Sequence, residues 1–376
     1  MIAESVAAQF DVPGRLVAIQ PIRTGNVNDT YTAIFRTTYS EERFILQRIN
    51  GAVFPDPPKV MSNVKRVTEH AHRRIEAEFD QADRIWQLPR VIPSRDGVDY
   101  VVDDDGGHWR GLSLIASATS HDTIKDLDHA QEAGIVLGHF QGLISDLDPG
   151  LLDDTLPDFH ITPKYLECFD RAVDSDSGRE RLTASTEARR IESFINERRA
   201  FAGVLENARV AGELPLRPVH GDPKISNIMI DDLTGKGTCI VDLDTVKPGL
   251  IHYDFGDAVR SCCNPVGEET DDLASVGIDL DLFGAIVRGY LREANGFLSE
   301  ADQGYLFDST RLLAFELGIR FFADYLAGDI YFKTSYAGQN LNRARVQLRL
   351  CESIEANEAP MRRILEGARI RSGEFV

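Results

Sequence analysis

Between residues 216 and 245 a largely helical sequence breaks into short β-type runs separated by turns, and that interruption limits what the chain can fold into. It reads Val219-His220-Gly221-Asp222-Pro223-Lys224-Ile225-Ser226-Asn227-Ile228-Met229-Ile230. Asp231-Asp232-Leu233-Thr234-Gly235 then turns the chain, and Cys239-Ile240-Val241 carries it to Asp242-Leu243-Asp244. Apolar runs on either side of a Thr-Gly turn predict a β-hairpin. That hairpin returns Asp242, fifteen residues beyond Asn227, to the side of Asn227. The flanks are helical by their 3.6-residue stripes. Leu127, Ala130, Gly134, Leu137, Phe140 and Ile144 form one stripe; Ile191, Phe194, Ile195, Ala202 and Leu205 mark a second, more charged helix. Further stripes lie at 282–291, 312–322 and 341–354.

The first part of the chain has a different character. Tyr31–Phe35 and Phe44–Ile49 are strand-like, joined by a polar link through Ser40-Glu41-Glu42. Asp56-Pro57-Pro58 breaks the chain before a polar helical pattern from Lys59 to Glu78. Tyr100–Val102 and Leu112–Ile115 bracket a hairpin-like Asp103-Asp104-Asp105-Gly106-Gly107. The expectation is an α+β protein of two lobes, a small β-rich lobe over residues 1–118 and a larger helical lobe over 119–376.

A net charge of −19 argues against a general nucleic-acid binder, which needs clustered Lys and Arg to neutralise phosphates. It leaves nucleotides open, because a metal ion meets their charge locally. The five cysteines form no CxxC pair, so reduced structural thiols are expected rather than a zinc site. Glu4 and Asp11 interrupt the N-terminus, and no run approaches the ~18 apolar residues of a membrane span. A cytoplasmic protein with no membrane partner, and a monomer, is expected.

The hairpin segment carries a chemistry. Phosphoryl transfer needs an oriented nucleophile and positive charge around the moving group more than covalent help. D-x-K-x-x-N supplies a carboxylate for the acceptor hydroxyl (Asp222), an ammonium for the phosphate (Lys224) and a carboxamide (Asn227). With Asp242 the carboxamide offers oxygen ligands to Mg²⁺, a hard cation. Asp244 either faces the metal or caps the turn.

These residues resemble the signature of the aminoglycoside phosphotransferase and choline kinase superfamily, H-G-D-x-x-x-x-N followed by a strand ending in I-D-x-D. Protein kinases use the related H-R-D-x-K-x-x-N, which Lys224 also matches. The resemblance implies a bilobal protein-kinase-like fold with ATP in the cleft, Asp222 as catalytic base, Lys224 on the phosphate, and Asn227 and Asp242 on Mg²⁺. Asp254-Phe255-Gly256 spells a kinase metal triplet but follows Asp242 by twelve residues, so Asp254 is expected to tie down the loop after Pro248-Gly249.

Arg23-Thr24-Gly25-Asn26-Val27-Asn28-Asp29 lies where kinases cover the phosphates, which makes the backbone at Gly25 and Asn26 nucleotide-binding candidates. It contains one glycine, so a plain hairpin turn is the rival reading. The strand Phe44-Ile45-Leu46-Gln47-Arg48 carries no lysine where kinases have one. Gln47 occupies that register and ranks ahead of Arg48 as its replacement, with Glu69 or Glu76 as the helix partner.

Within the superfamily, 44–50, 242–249, 253–257 and 320–333 look like N-acetylhexosamine 1-kinases. That resemblance implies ATP-dependent phosphorylation of the anomeric hydroxyl of N-acetylglucosamine or N-acetylgalactosamine, with Asp29, Arg320 and Tyr331 on the sugar. Helical spacing alone favours a different reading of one of these, an exposed i, i+4 charge row of Glu316, Arg320 and Asp324. Ala116-Ser117 departs from the family's usual Glu-Gly. The alternatives are a kinase of another alcohol (another sugar, homoserine, choline or an aminoglycoside) and a non-catalytic nucleotide- or sugar-binding module.

Overall fold

Antiparallel pairing organises the first third of the chain. In the computed structural model, which describes residues 2–22, 27–78 and 84–373, α1 (Ile2–Ala7) precedes β1 (Arg15–Ile22), β2 (Asp29–Arg36) and β3 (Glu41–Arg48). After α2 (Pro57–Glu78) come β4 (Val91–Ile92), β5 (Val101–Val102) and β6 (His108–Ser113). The sheet order is β1-β2-β3-β6-β4, with β5 also paired to β6. Side chains alternate across a strand, so the two faces of this sheet carry different chemistry. One face packs Ala33, Phe35, Phe44, Leu46 and Trp109 against Val6, Ala7 and Phe10 of the N-terminal segment. The other presents a cross-strand row, Thr30, Gln47 and Arg110, set by the pairs Thr30↔Gln47 and Gln47↔Arg110.

The chain leaves this sheet through Ser117, which has φ 57°, and enters β7 (Ala118–Ser120). β7 pairs with a different sheet, whose order is β10-β9-β7, where β9 is Ile228–Asp231 and β10 is Gly237–Ile240. Helices α3 (Leu127–Ile144), α4 (Thr162–Asp174), α5 (Asp176–Ala184), α6 (Thr186–Glu197) and α7 (Val204–Val210) come between β7 and β8 (Arg217–Val219). β11 (Lys247–Gly249) pairs with β8, and α8 (Ile251–Cys262), α9 (Leu280–Ala294), α10 (Glu300–Gly304), α11 (Leu306–Ala327), α12 (Gln339–Ala356) and α13 (Glu358–Gly373) complete the chain. The architecture is α+β, an N-terminal antiparallel sheet followed by a mostly helical region.

The large core of that region is apolar and helical, with Phe255, Phe283, Phe315 and Phe322 among its fully buried side chains. α3 and α9 approach so closely that a Cβ on Gly289 would sit 2.0 Å from the Gln131 carbonyl oxygen, which reserves that crossing for glycine. The single charged helix expected across 191–205 is two helices. α6 ends at Glu197, a short 3₁₀ turn (Arg199–Phe201) follows, and α7 starts at Val204. All five cysteines are free, four of them buried. Among the described residues, no helix is long and apolar enough to cross a membrane.

Two structures bring the sheets to bear on one place. α2 is tied to the chain after β10 by Asn63, whose Nδ2 donates to the Val246 carbonyl at 2.9 Å. The β9–β10 hairpin pairs Ile228 with Ile240, and Val241 N–H donates to the Asn227 carbonyl at 2.8 Å. Asp242 therefore stands beside Asn227, as the Thr234-Gly235 turn implied.

Candidate active site

The turn His220-Gly221-Asp222 is built around a histidine with one fixed proton. His220 is fully buried and its Nε2 lies 3.0 Å from the Val241 carbonyl, which only accepts, so Nε2 carries the hydrogen. Nδ1 then accepts from the Asp222 backbone N–H at 3.2 Å. Burial lowers the pKa of this ring, which keeps it neutral. The same side chain thus joins the turn before Asp222 to the residue before Asp242. Gly221 has φ 86°, and a Cβ there would meet the Thr245 carbonyl oxygen at 2.8 Å, so backbone and space both require glycine.

Asp254 holds the turn from below. Its Oδ2 accepts from His220 N–H at 2.9 Å and from Gln141 Nε2 at 3.0 Å, and its Oδ1 accepts from Gly221 N–H at 2.8 Å. The residue is structural, as expected, but it anchors the turn before Asp222 and not the loop after Pro248-Gly249. Burial raises its pKa.

Asp222, Lys224 and Asn227 meet at one point. The Lys224 ammonium pairs with Asp222 Oδ2, and Asn227 Nδ2 donates to the Asp222 carbonyl at 2.7 Å and to Oδ2 at 3.3 Å. Burial works to lower the Lys224 pKa, but the charges of Asp222, Asp242 and Asp257 more than offset it and the pKa is raised. Asp242 is a non-glycine residue at φ 65°, ψ 59°, a conformation that costs energy and recurs at functional sites. Burial, then the negative charges of Asp244 and Asp222, push its pKa up to about 7. Crowded carboxylates of this kind are relieved by a cation, and an all-oxygen donor set suits Mg²⁺. Among the described residues, no group of three His, Cys, Asp or Glu side chains is arranged for a metal. Asn227 and Asp242 would be the two protein ligands, a small set of the sort that leaves the remaining positions to phosphate and water.

The nucleotide side departs from expectation. Gly25 and Asn26 lie outside the described residues. Gln47 lies on the sheet face opposite the N-terminal packing and is engaged there: its Nε2 donates to Thr30 Oγ1 at 3.1 Å, and its Oε1 accepts from Arg110 Nε at 2.9 Å and Nη2 at 2.7 Å. Arg48 is on the opposite face, 3.5 Å from Asp103 Oδ2 and over the Trp109 ring, which removes it as the alternative. Glu69 is exposed and Glu76 pairs with Arg90 at the surface, so both are solvated helix charges. Asp244 does not cap a turn. It is buried, accepts from Asn28 Nδ2 at 2.6 Å, and forms an ion pair with Arg110. Arg110 was invisible in the sequence, and its Nη1 is buried with no hydrogen-bond partner. An unpaired buried donor of this kind costs roughly 1–3 kcal/mol.

Beyond Asp222 lies a second polar cluster that sequence spacing also missed. His160, at φ 64°, places Nε2 2.8 Å from the Gly221 carbonyl and Nδ1 2.8 Å from Glu316 Oε1. Thr162 Oγ1 donates to Glu316 Oε2 at 2.6 Å. A carbonyl and a carboxylate both accept, so both His160 nitrogens donate and the ring is an imidazolium. Burial opposes that charge, but Glu316, the Gly221 carbonyl and Asp257 outweigh it, and the His160 pKa is raised. The Phe159 and Tyr253 rings pack against it. A pKa raised by folding stabilises fully below the unfolded value of about 6.5 and is lost as pH climbs through the folded value. Wild-type protein is therefore expected to exceed His160→Gln in stability most at pH 5.5–6, with the gap narrowing toward pH 9. Urea melts across that range check it, and a constant gap would contradict the charged ring.

The expected charge row on α11 does not form. Glu316 faces His160, and Asp324 accepts from the amides of Ile330, Tyr331 and Phe332 at 2.8–3.0 Å. Arg320 instead lies among rings, with its guanidinium carbon 4.9 Å from the Tyr165 centroid, 5.2 Å from Phe159 and 5.6 Å from Phe332. Tyr331 is 64% exposed and packs edge-on to Phe332, which places it on the same segment as that cluster. Asp29 lines a cavity of about 460 Å³ together with Arg48, Asn50, His108 and Lys333. Lys333 follows Phe332, so the cavity and the ring cluster share one loop.

Similarity to known proteins agrees with this arrangement. Residues 18–279 match the phosphotransferase enzyme family. Among solved structures, the chain is similar to the microcompartment-associated aminopropanol kinase, with TM-score 0.58, 18% identity, and 96% of this chain and 98% of that one covered. It is also similar to an aminoglycoside phosphotransferase from Alicyclobacillus acidocaldarius subsp. acidocaldarius, with TM-score 0.59, 13% identity and coverage of 98% and 97%. A choline kinase from Cryptosporidium parvum gives TM-score 0.53, 12% identity and coverage of 92% and 91%. At these identities the solved structures speak for the fold, and the family match spans well over half of the chain. The chain belongs to the phosphotransferase enzyme family and is an ATP-dependent phosphotransferase with a small-molecule acceptor.

Proposed function

We propose that this phosphotransferase moves the γ-phosphoryl group of ATP to the anomeric (C1) hydroxyl of an N-acetylhexosamine, N-acetylglucosamine or N-acetylgalactosamine, giving the sugar 1-phosphate. The same reading divides the chain into a nucleotide lobe over 1–118 and a catalytic and acceptor lobe over 119–376. Asp222 takes the proton of the acceptor hydroxyl as its oxygen bonds to the γ-phosphorus and the bond to the β-phosphate oxygen breaks, releasing ADP. Lys224, paired with Asp222, stands beside the moving phosphoryl. Asn227 and Asp242 would hold Mg²⁺, which when bound supplies positive charge to the phosphate oxygens. Backbone N–H groups at Gly25 and Asn26 complete the phosphate cover in this proposal.

Arg320 carries the choice of acceptor. The three rings around it form the kind of cage that a quaternary amine would need, and a guanidinium already fills it. Arg48 and Lys333 offset Asp29 and Asp105 in the lining of the cavity, which therefore lacks the carboxylate excess that a polycationic antibiotic calls for. A neutral polyol suits that lining, with Asp29, Asn50 and His108 as hydrogen-bonding groups and Tyr331 as an exposed aromatic. ADP release measured over a panel of N-acetylhexosamines, other sugars, homoserine, choline and aminoglycosides tests the reading. Turnover is expected with N-acetylglucosamine or N-acetylgalactosamine; turnover confined to an amine or an amino acid would overturn it.

A further inference from the structure

We infer that Arg110, on β6, is the cationic contact for the triphosphate oxygens, taking over from the lysine that β3 lacks, and that Gln47 serves to hold it. The inference rests on the kinase reading above. Position 47 is the register of β3 that pairs with Arg110, yet its amide is spent on neighbours: the oxygen takes two Arg110 N–H groups and the nitrogen meets Thr30 Oγ1. Those bonds fix the guanidinium plane from one side. Asp244 pairs with Nη2 from the other. What remains is Nη1, buried on a side chain only 1% exposed, with no hydrogen-bond partner.

Its surroundings tie it to the proposed metal site. Asp244 is two residues from Asp242, and the Arg110 charge acts on Asp242 itself. The second Asp244 oxygen accepts from Asn28, at the end of the segment linking β1 to β2, and Asn28 Oδ1 accepts from Asn50 N–H. One network therefore joins that segment, the β3–β6 pair and the Asp242 loop, with a guanidinium at its centre. A guanidinium offers paired N–H groups that match phosphate oxygens, and a rigid support of this kind keeps its plane fixed. Gln47 cannot play that part, since an amide carries no charge.

Calorimetric titration of wild-type protein and Arg110→Gln with ATP, ADP and adenosine tests the assignment. Arg110→Gln is expected to weaken ATP and ADP about 10- to 100-fold and leave adenosine within about twofold. The exchange Gln47→Lys with Arg110→Gln, which moves the cation to β3 and keeps an amide on β6, is expected to regain most of the phosphate affinity. Equal losses for adenosine and ADP, or ADP binding unchanged in Arg110→Gln, would make Arg110 a strut for Asp244 and overturn the proposal. Should the variants fail to fold, arginine side-chain NMR of the wild type decides. The Arg110 guanidinium signals are expected to move with ADP and stay still with adenosine, and no movement with ADP overturns the assignment. Wild-type protein that binds no nucleotide would instead remove the kinase reading on which all of this stands.

Discussion

Asp222→Asn is expected to lower turnover about 10²- to 10⁴-fold while ATP binding stays within a few-fold. In the proposed reaction the Asp222 carboxylate, held where Lys224 and Asn227 converge, accepts the acceptor's proton. An amide has nearly the same shape, so the backbone bonds that fix the turn, His220 to Val241 and Asp254 to Gly221, survive the substitution. The proposed nucleotide contacts, Arg110 among them, do not include Asp222, which is why affinity should hardly change. Steady-state rates alongside nucleotide titration separate the two effects. Equal turnover in the variant would take Asp222 out of the chemistry.

The second large effect is on stability. Asp254→Ala is expected to destabilise the protein by about 2–5 kcal/mol, because it orphans the buried N–H groups of His220 and Gly221 and a Gln141 donor at once. Set against a typical total of about 5–15 kcal/mol, that is a large fraction. The loss is local to the turn that presents Asp222, so turnover should fall too, even at temperatures where the variant remains folded. Asp254→Asn keeps one acceptor oxygen and is expected to lose less. Urea unfolding with an unchanged slope and a lower midpoint is the expected pattern; a loss under about 0.5 kcal/mol would contradict the anchoring role.

Much of what depended on short-range pattern was legible in the sequence. The hairpin that returns Asp242 to Asn227 spans fifteen residues with a turn in the middle, so chain connectivity alone settles the meeting. The strands β2 and β3 and the stripes of α3, α9, α11 and α12 follow from local periodicity. The break between α6 and α7 escaped because the apolar stripe runs on across it and no proline marks it, only Gly203, the N-cap of α7.

What could not be read were partners chosen by register or by long-range packing. Gln47 was identified by its position on β3, but its partner Arg110 lies 63 residues on, and the β3–β6 register that aligns them has no signature in either strand. His160 and Glu316 are 156 residues apart. On α11, i, i+4 spacing suggested a surface charge row. Burial of the helix turned Glu316 and Asp324 to other tasks and left Arg320 among aromatic rings. Asp254 is structural, as its distance from Asp242 implies, but its target is the turn before Asp222, since a fully buried carboxylate seeks backbone amides wherever packing brings them.

Phosphorus NMR of ATP and Mg²⁺ incubated with the protein and a panel of acceptor alcohols puts the whole scheme to trial in one tube. The expected spectrum loses the γ-phosphate signal and gains ADP and a phosphomonoester coupled to an anomeric proton, and Asp222→Asn leaves ATP intact on the same time scale. A γ-phosphate signal that persists with every acceptor, from a protein that still binds ATP, would contradict phosphoryl transfer at the meeting point of Asp222, Asn227 and Asp242.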